Sequence, residues 1–320
     1  MWVFLARALA QRLGLLVVIS MIAFAVIHLA PGEPSQVDPM NPRMKPQDVA
    51  RIRAAFHLDE PLYAQYGHWL GDLFTGELRS FKDGQPVVPR IWERFLNSVP
   101  LFLVEILIIW TFAFPAGIRA AVTRGSRFDR ASTFVAYFLI SLPSFFAAYL
   151  VILWVVNSFQ IPVIGMRTFG LDEVSLLRVA MDRIWHLAIP SLMAALGGIA
   201  VLSRYVRSQM LEVVAQDYVR TARAKGLPED QVVYRHALRN ALLPFVTLFG
   251  FLIPGLIGGS VIVEQIFPWP GIGRLGYEAI LARDFPVIVT LNFVAAALTL
   301  AGTLISDVLY AVVDPRIRLE

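Results

Sequence analysis

The sequence predicts an all-α integral membrane protein with six transmembrane helices. Three observations carry this. Of 320 residues, 57% are hydrophobic and only 16% charged, well under the quarter or so that soluble domains carry. Mean hydropathy is +0.63. Apolar runs long enough to cross a hydrocarbon core, which takes about 20 residues, recur at roughly 13–30, 99–122, 131–156, 184–203, 241–263 and 286–312.

The first run follows Arg7 and Arg12 and lacks a clear A-x-A site before "PGEP". It therefore reads as an uncleaved helix rather than a signal peptide. Residues 1–30 comprise the N-terminal segment and this first helix; residues 31–98 form a long segment before the second. Pro46 can open a helix "PQDVARIRAAF" there. In "PLYAQYGHWLGDLF", Leu62, Tyr66, Trp69, Leu70 and Leu73 share one face until Gly76 stops the helix. These read as amphipathic helices on the outer membrane face, with Trp69 and Trp92 at headgroup level; a docking platform is the alternative. Residues 99–320 form a five-helix core with a polar loop at 204–240. Pro143, Pro190 and Pro254 predict kinked helices packed against one another.

Charge placement orients the spans. With the N-terminus inside, the short inside segments hold fifteen Lys and Arg against seven Asp and Glu, a net +8. The outside segments hold thirteen against fifteen, a net −2. Six helices with both termini cytoplasmic satisfy this partition, and an odd number breaks it. The formal net charge of +4 over the whole chain does not point to nucleic acid.

Several chemistries find no footing. There is no cysteine, so disulfides, Cys-ligated zinc and iron–sulfur clusters are excluded. No G-x-x-x-x-G-K-[ST], H-E-x-x-H or G-x-S-x-G occurs. His28, His57, His68, His186 and His236 show no metal-ligand spacing in sequence. Neither a nucleophile set nor an acid/base pair is visible, so an enzyme is the weaker reading. Glu105 and Asp307 stand inside spans, where an ionisable group is costly. Asp307 reads as structural, satisfied by Arg316 or a neighbouring helix end. Glu105 either faces a substrate pathway or pairs with a neighbour. In "FPWPGIGRL", the turns are fixed by prolines and glycines, while Phe267 and Trp269 suit a membrane interface.

The stretch "DYVRTARAKG" (217–226) is the anomaly: a short polar helix in a chain built for lipid. Asp217 can cap its start. Gly226 can take the left-handed position that ends it, and Pro228 forbids continuation. Glu229 and Asp230 then suit the first turn of a second helix. Two isolated turns are unstable in water, so something must pack against them. Ala222 and Ala224 allow close approach, Tyr218 can anchor, and Arg220, Arg223 and Lys225 can pair with carboxylates. Anionic lipid explains the charge, whereas the paired start and stop signals favour a protein partner.

These residues resemble the cytoplasmic loop of ABC importer permeases, in particular the dipeptide/oligopeptide/nickel permease family. The loop motif E-A-A-x-x-x-G stands here as Arg220-Thr221-Ala222-Arg223-Ala224-Lys225-Gly226, with its later proline at Pro244. "HLAPGEP" (28–34), "LDEPLYAQYGHWLGDLFTGELRSF" (58–81), "ISLPSFF" (140–146), "EQIFPWPGIGRL" (264–275) and "DVLYAVVDPRIR" (307–318) also match, in the family's order. Thr303 departs from the family's Asn. The resemblance implies a type I ABC importer permease fold and transport of peptides, with nickel chelates, oligosaccharides or another small solute as alternatives. A different class, an ion-gradient-driven secondary transporter, would use Glu105 and Asp307 and have no need of residues 217–226.

The implied partners are a second homologous permease, two cytoplasmic ABC ATPases, an extracytoplasmic solute-binding protein and the lipid bilayer, with no nucleic acid. ATP and Mg would bind the ATPases, leaving this chain without a cofactor or a catalytic residue. Asp217, Tyr218, Val219, Arg220, Thr221, Ala222, Arg223, Ala224, Lys225 and Gly226 would form the coupling helix seated on an ATPase. Phe267, Trp269, Pro270 and Gly271 would lie near the translocation mouth and the binding protein. The implied location is the bacterial cytoplasmic (inner) membrane.

Overall fold

The computed structural model describes residues 2–29, 56–168, 175–242 and 261–313, with isolated positions in 47–54 and 244–255. Among these residues the one β pairing outside the helices is an isolated bridge between Arg79 and Pro86. The helices are α1 (Trp2–Leu29), α2 (Leu62–Thr75), α3 (Val87–Val122), α4 (Arg127–Ser141), α5 (Ser144–Phe159), α6 (Leu176–Val214) and α7 (Asp217–Ala224). A π-helical stretch, Gln231–Ala237, continues as α8 (Leu238–Ala241). Then come α9 (Val261–Ile266), α10 (Ile272–Leu281) and α11 (Phe285–Val313).

Four of these, α1, α3, α6 and α11, are long and apolar enough to cross a membrane; they contain the runs expected at 99–122, 184–203 and 286–312 and, as far as Leu29, the run expected at 13–30. The run expected at 241–263 lies mostly outside the described residues, as does the helix expected from Pro46. The run at 131–156 departs from a simple kinked span. It is split into α4 and α5, which meet at 94°. The cause is local. Pro143 has no N–H to continue the ladder and drives the preceding residue out of the helical region; Leu142 sits at φ −82°, ψ 118°.

Contacts divide the chain into two units. The first comprises Met1–Ser98, Phe249–Val261 and Gly271–Glu320. Here α1 packs along α11, and Phe24, Trp69, Val87, Ile91, Leu275 and Val287 form the core. Arg12 donates to the Asp307 carboxylate at 2.5 Å. Asp307 thus has a structural partner, but from α1; Arg316 lies outside the described residues. Helix α2 ends at Gly76 as expected, in the left-handed region at φ 78°.

The surface reading of α2 needs correction. Trp69 is only 5% exposed, and its indole N–H donates to Thr290 Oγ1 at 3.2 Å. Tyr66, Leu70 and Leu73 pack on the same core. A buried Trp requires a partner for its N–H, and Thr290 supplies it, so the apolar face of α2 turns into protein. Trp92, in contrast, is exposed.

The second unit comprises Val99–Leu248 and Ile262–Pro270. Within it α3 and α6 approach backbone to backbone. A Cβ on Gly117 would stand 2.5 Å from the Ser203 carbonyl oxygen and 2.7 Å from Val206 Cβ, the small-residue contact that helix pairs in lipid favour. Asp129 ties α4 to α6. It accepts a fork from Arg207 at 2.6 and 2.9 Å and a third bond from Gly125 N–H at 2.9 Å.

Candidate functional site

Helix α7 begins after Gln216, whose extended backbone marks the cap position. No side chain caps it. Asp217 was expected to cap, but it lies one residue inside the helix with its carboxylate 97% exposed. From there it can still act as an anion near the positive end of the helix dipole. The stop signal behaves as expected: Gly226 takes φ 75°, and its N–H donates to the Arg223 carbonyl at 2.9 Å. Pro228 then opens the next helix, its carbonyl accepting from Gln231 and Val232 N–H.

Two turns of helix persist here because one stripe is buried. Val219 is fully buried and Ala222 nearly so. Both belong to a core with Ile118 and Ala121 of α3, Val206 and Met210 of α6, and Val232 of the π-helical stretch. This corrects the reading of Ala222 as a surface for an outside partner: three residues after Val219, it shares the inward face. Ala224 is exposed.

The outward face carries Tyr218, Arg220, Arg223, Ala224 and Lys225. Tyr218 Oη accepts from Asn240 Nδ2 at 2.8 Å, which ties it back to α8. The Arg223 guanidinium donates to both Glu229 oxygens, at 3.1 and 2.7 Å. That bond holds the Glu229 carboxyl below its ordinary value and raises Arg223. Arg220 lies 3.7 Å from Asp217, both groups solvated, a pairing worth little. The face is a ridge of mixed charge in which Arg223 is held by its ion pair and Tyr218 by its hydrogen bond.

Glu105, midway along α3, is half-buried and makes no hydrogen bond or ion pair among the described residues. The loop residues differ from expectation. Phe267 is fully buried, in a cluster with Ala148, Met193 and Val263, and its carbonyl accepts from Gly165 N–H at 2.8 Å. Trp269 is 2% exposed. Both rings bury apolar area in protein instead of lying at a lipid interface. Pro270 is half-buried and Gly271 buried; Gly271 occupies the cap of α10, where Ser98 Oγ accepts from Ile272 N–H at 2.8 Å.

One constellation was not visible in sequence spacing. The turn after Phe56 brings His57 Nδ1 to 2.7 Å from Glu60 Oε1, and His68 Nε2 to 3.0 Å from Glu60 Oε2. His57 and Glu60 are three apart, but His68 joins them only because Pro61 redirects the chain into α2.

Comparison with known proteins gives this architecture a family. Residues 113–319 match the profile described as "Binding-protein-dependent transport system inner membrane component". The chain belongs to that family. Residues 1–104 match its N-terminal companion profile. The oligopeptide transport system permease protein AppB of Bacillus subtilis (strain 168) is 38% identical over 98% of this chain and 99% of its own. The di/tripeptide transport system permease protein DppB of Pseudomonas aeruginosa (strain UCBPP-PA14) is 37% identical over 97% and 98%. Among solved structures, a chain of the MetNI methionine ABC transporter matches 69% of this permease and 95% of itself, at 19% identity and a TM-score of 0.46. Membership makes this a multi-pass membrane transport protein and not an enzyme.

Proposed function

We propose that this permease is the membrane-spanning subunit of an ATP-driven importer for peptides in a bacterial cytoplasmic membrane, with both termini cytoplasmic. It pairs with a second, homologous permease. Two ABC ATPases dock beneath, and an extracytoplasmic binding protein delivers substrate. Helix α7 is the coupling helix. Closure of the ATPases on ATP draws the coupling helices together and rocks the permeases to an outward-open state; hydrolysis resets them, a largely rigid-body alternation. Glu105 faces the translocation pathway, and the 267–271 loop lies at its outer mouth.

The observation that carries this reading is the inward stripe of α7. Val219 and Ala222 share one buried core with side chains of α3 and α6, and α7 packs on α6 and on the π-helical stretch, so a displacement of α7 would be passed into the spans through that core. The outward ridge supports a protein partner over bare lipid, because Arg223 is already engaged by Glu229. Peptide cargo follows from the relatives named above. The test is an Ala224→Trp, Arg220→Glu pair of variants in the assembled transporter. Each is expected to reduce retention of the ATPases and peptide uptake while the chain still inserts. Full retention and full uptake in both would overturn the assignment.

A further inference from the structure

The arrangement of His57, Glu60 and His68 has no part in coupling, and its geometry is that of a ligand set. The two imidazole rings lie nearly parallel, 13° apart, with centroids at 4.1 Å. Each presents one nitrogen to a different oxygen of the same carboxylate. One donor atom from each residue falls within 4.8 Å of the other two. Tetrahedral coordination with bonds near 2.0–2.1 Å sets ligand atoms about 3.3 Å apart. The observed 2.7 and 3.0 Å separations lie just inside that spacing. A small turn of the Glu60 carboxylate would bring these distances to that spacing.

The supporting backbone is held in place. His57 occupies the left-handed region at φ 55°, where a residue other than glycine is held only by its surroundings. Glu60 N–H donates to the His57 carbonyl at 3.1 Å. Gln65 Nε2 donates to the Glu60 carbonyl at 2.8 Å and reaches the Leu58 carbonyl at 3.3 Å. The two histidines also line a cavity of about 200 Å³ into which Asp72, Glu77 and Arg79 face, so solvent and small ions reach the site. Sequence spacing gave no hint of it because the ligands come from a turn and from α2.

We propose that His57, Glu60 and His68 bind one divalent transition-metal cation of zinc's class. Two imidazoles and one carboxylate suit a borderline-soft ion and give too few oxygens for Ca²⁺ or Mg²⁺. Water completes the coordination. The bound ion fastens the 56–60 turn to the middle of α2, in the segment preceding the second span.

The experiment uses the full-length chain in detergent, stripped with chelator, and Zn²⁺ alone as the probe. Competition with a chromophoric chelator measures affinity, and Co²⁺ reports geometry through its visible absorption. Wild type is expected to bind one more Zn²⁺ per chain than a His57→Ala/His68→Ala double variant. Glu60→Gln, nearly isosteric, is expected to weaken binding at least roughly 10-fold, and Zn²⁺ to raise the melting midpoint of wild type but not of the double variant. Equal Zn²⁺ uptake by wild type and the double variant, or no Zn²⁺ and no Co²⁺ band in wild type, overturns the proposal.

Discussion

Substituting Val219 by Ala tests whether α7 is a rigid extension of the spans. The side chain is fully buried, and with α7 outside the bilayer, as proposed, aqueous transfer energies apply. Removing two methyl groups forfeits about 1.6 kcal/mol of burial. The cavity left, on the order of 50 Å³ before relaxation, adds up to about 1.2 kcal/mol. With partial collapse the cost is about 2–3 kcal/mol, and it falls on the equilibrium that undocks α7. Hydrogen exchange of the 217–226 amides should therefore accelerate roughly 30- to 150-fold, while the α11 amides are unchanged. In the assembled transporter, ATP hydrolysis should persist as peptide uptake drops. Unchanged protection across 217–226 would refute the claim that the buried core shared with α3 and α6 holds this helix.

Other outcomes follow from the same packing. Gly117→Val places atoms where Ser203 and Val206 already stand and should destabilise by about 1–3 kcal/mol; Gly14→Ala, inside α1 with open space around it, should not lower the thermal midpoint and should raise it slightly. Asp129→Asn weakens the fork to Arg207 and should cost about 2 kcal/mol, read as a lower midpoint in detergent and largely rescued when Arg207→Gln is added. Glu229 has its carboxyl held below the ordinary 4.5 by Arg223. Its pairing is thus complete above that value and lost as pH falls through the lowered one. Protease protection around 223–229 should be flat from neutrality to about pH 5 and decline below, and Glu229→Gln should abolish that decline. Glu105→Gln should lower peptide uptake with no loss of assembled complex.

The long spans are legible because lipid imposes one simple demand, an unbroken apolar helix with its backbone satisfied. So are Gly76 and Gly226, whose left-handed turns only glycine adopts cheaply. What escapes is direction. Trp69, Phe267 and Trp269 look like interfacial aromatics by type, yet all three are buried, Trp69 and Phe267 among residues distant in sequence. Ala222 and Ala224 are alike in composition, but rotation about the helix puts one inside and one out. The partner of Asp307 could not be found because Arg12 lies at the opposite end of the chain. The His57–Glu60–His68 grouping needed the bend at Pro61 before it had any meaning.

The right-angle joint at Leu142 and Pro143 has a consequence for hydration. At 15 and 16 residues, α4 and α5 are each about 22–24 Å long, short of a hydrocarbon layer near 30 Å. Pro143 offers the Leu139 carbonyl no donor. Bare main chain within a hydrocarbon layer is tolerated only against protein or water. A hollow of about 310 Å³ beside Leu139, Leu142 and Ser144 is large enough to admit several molecules of the latter.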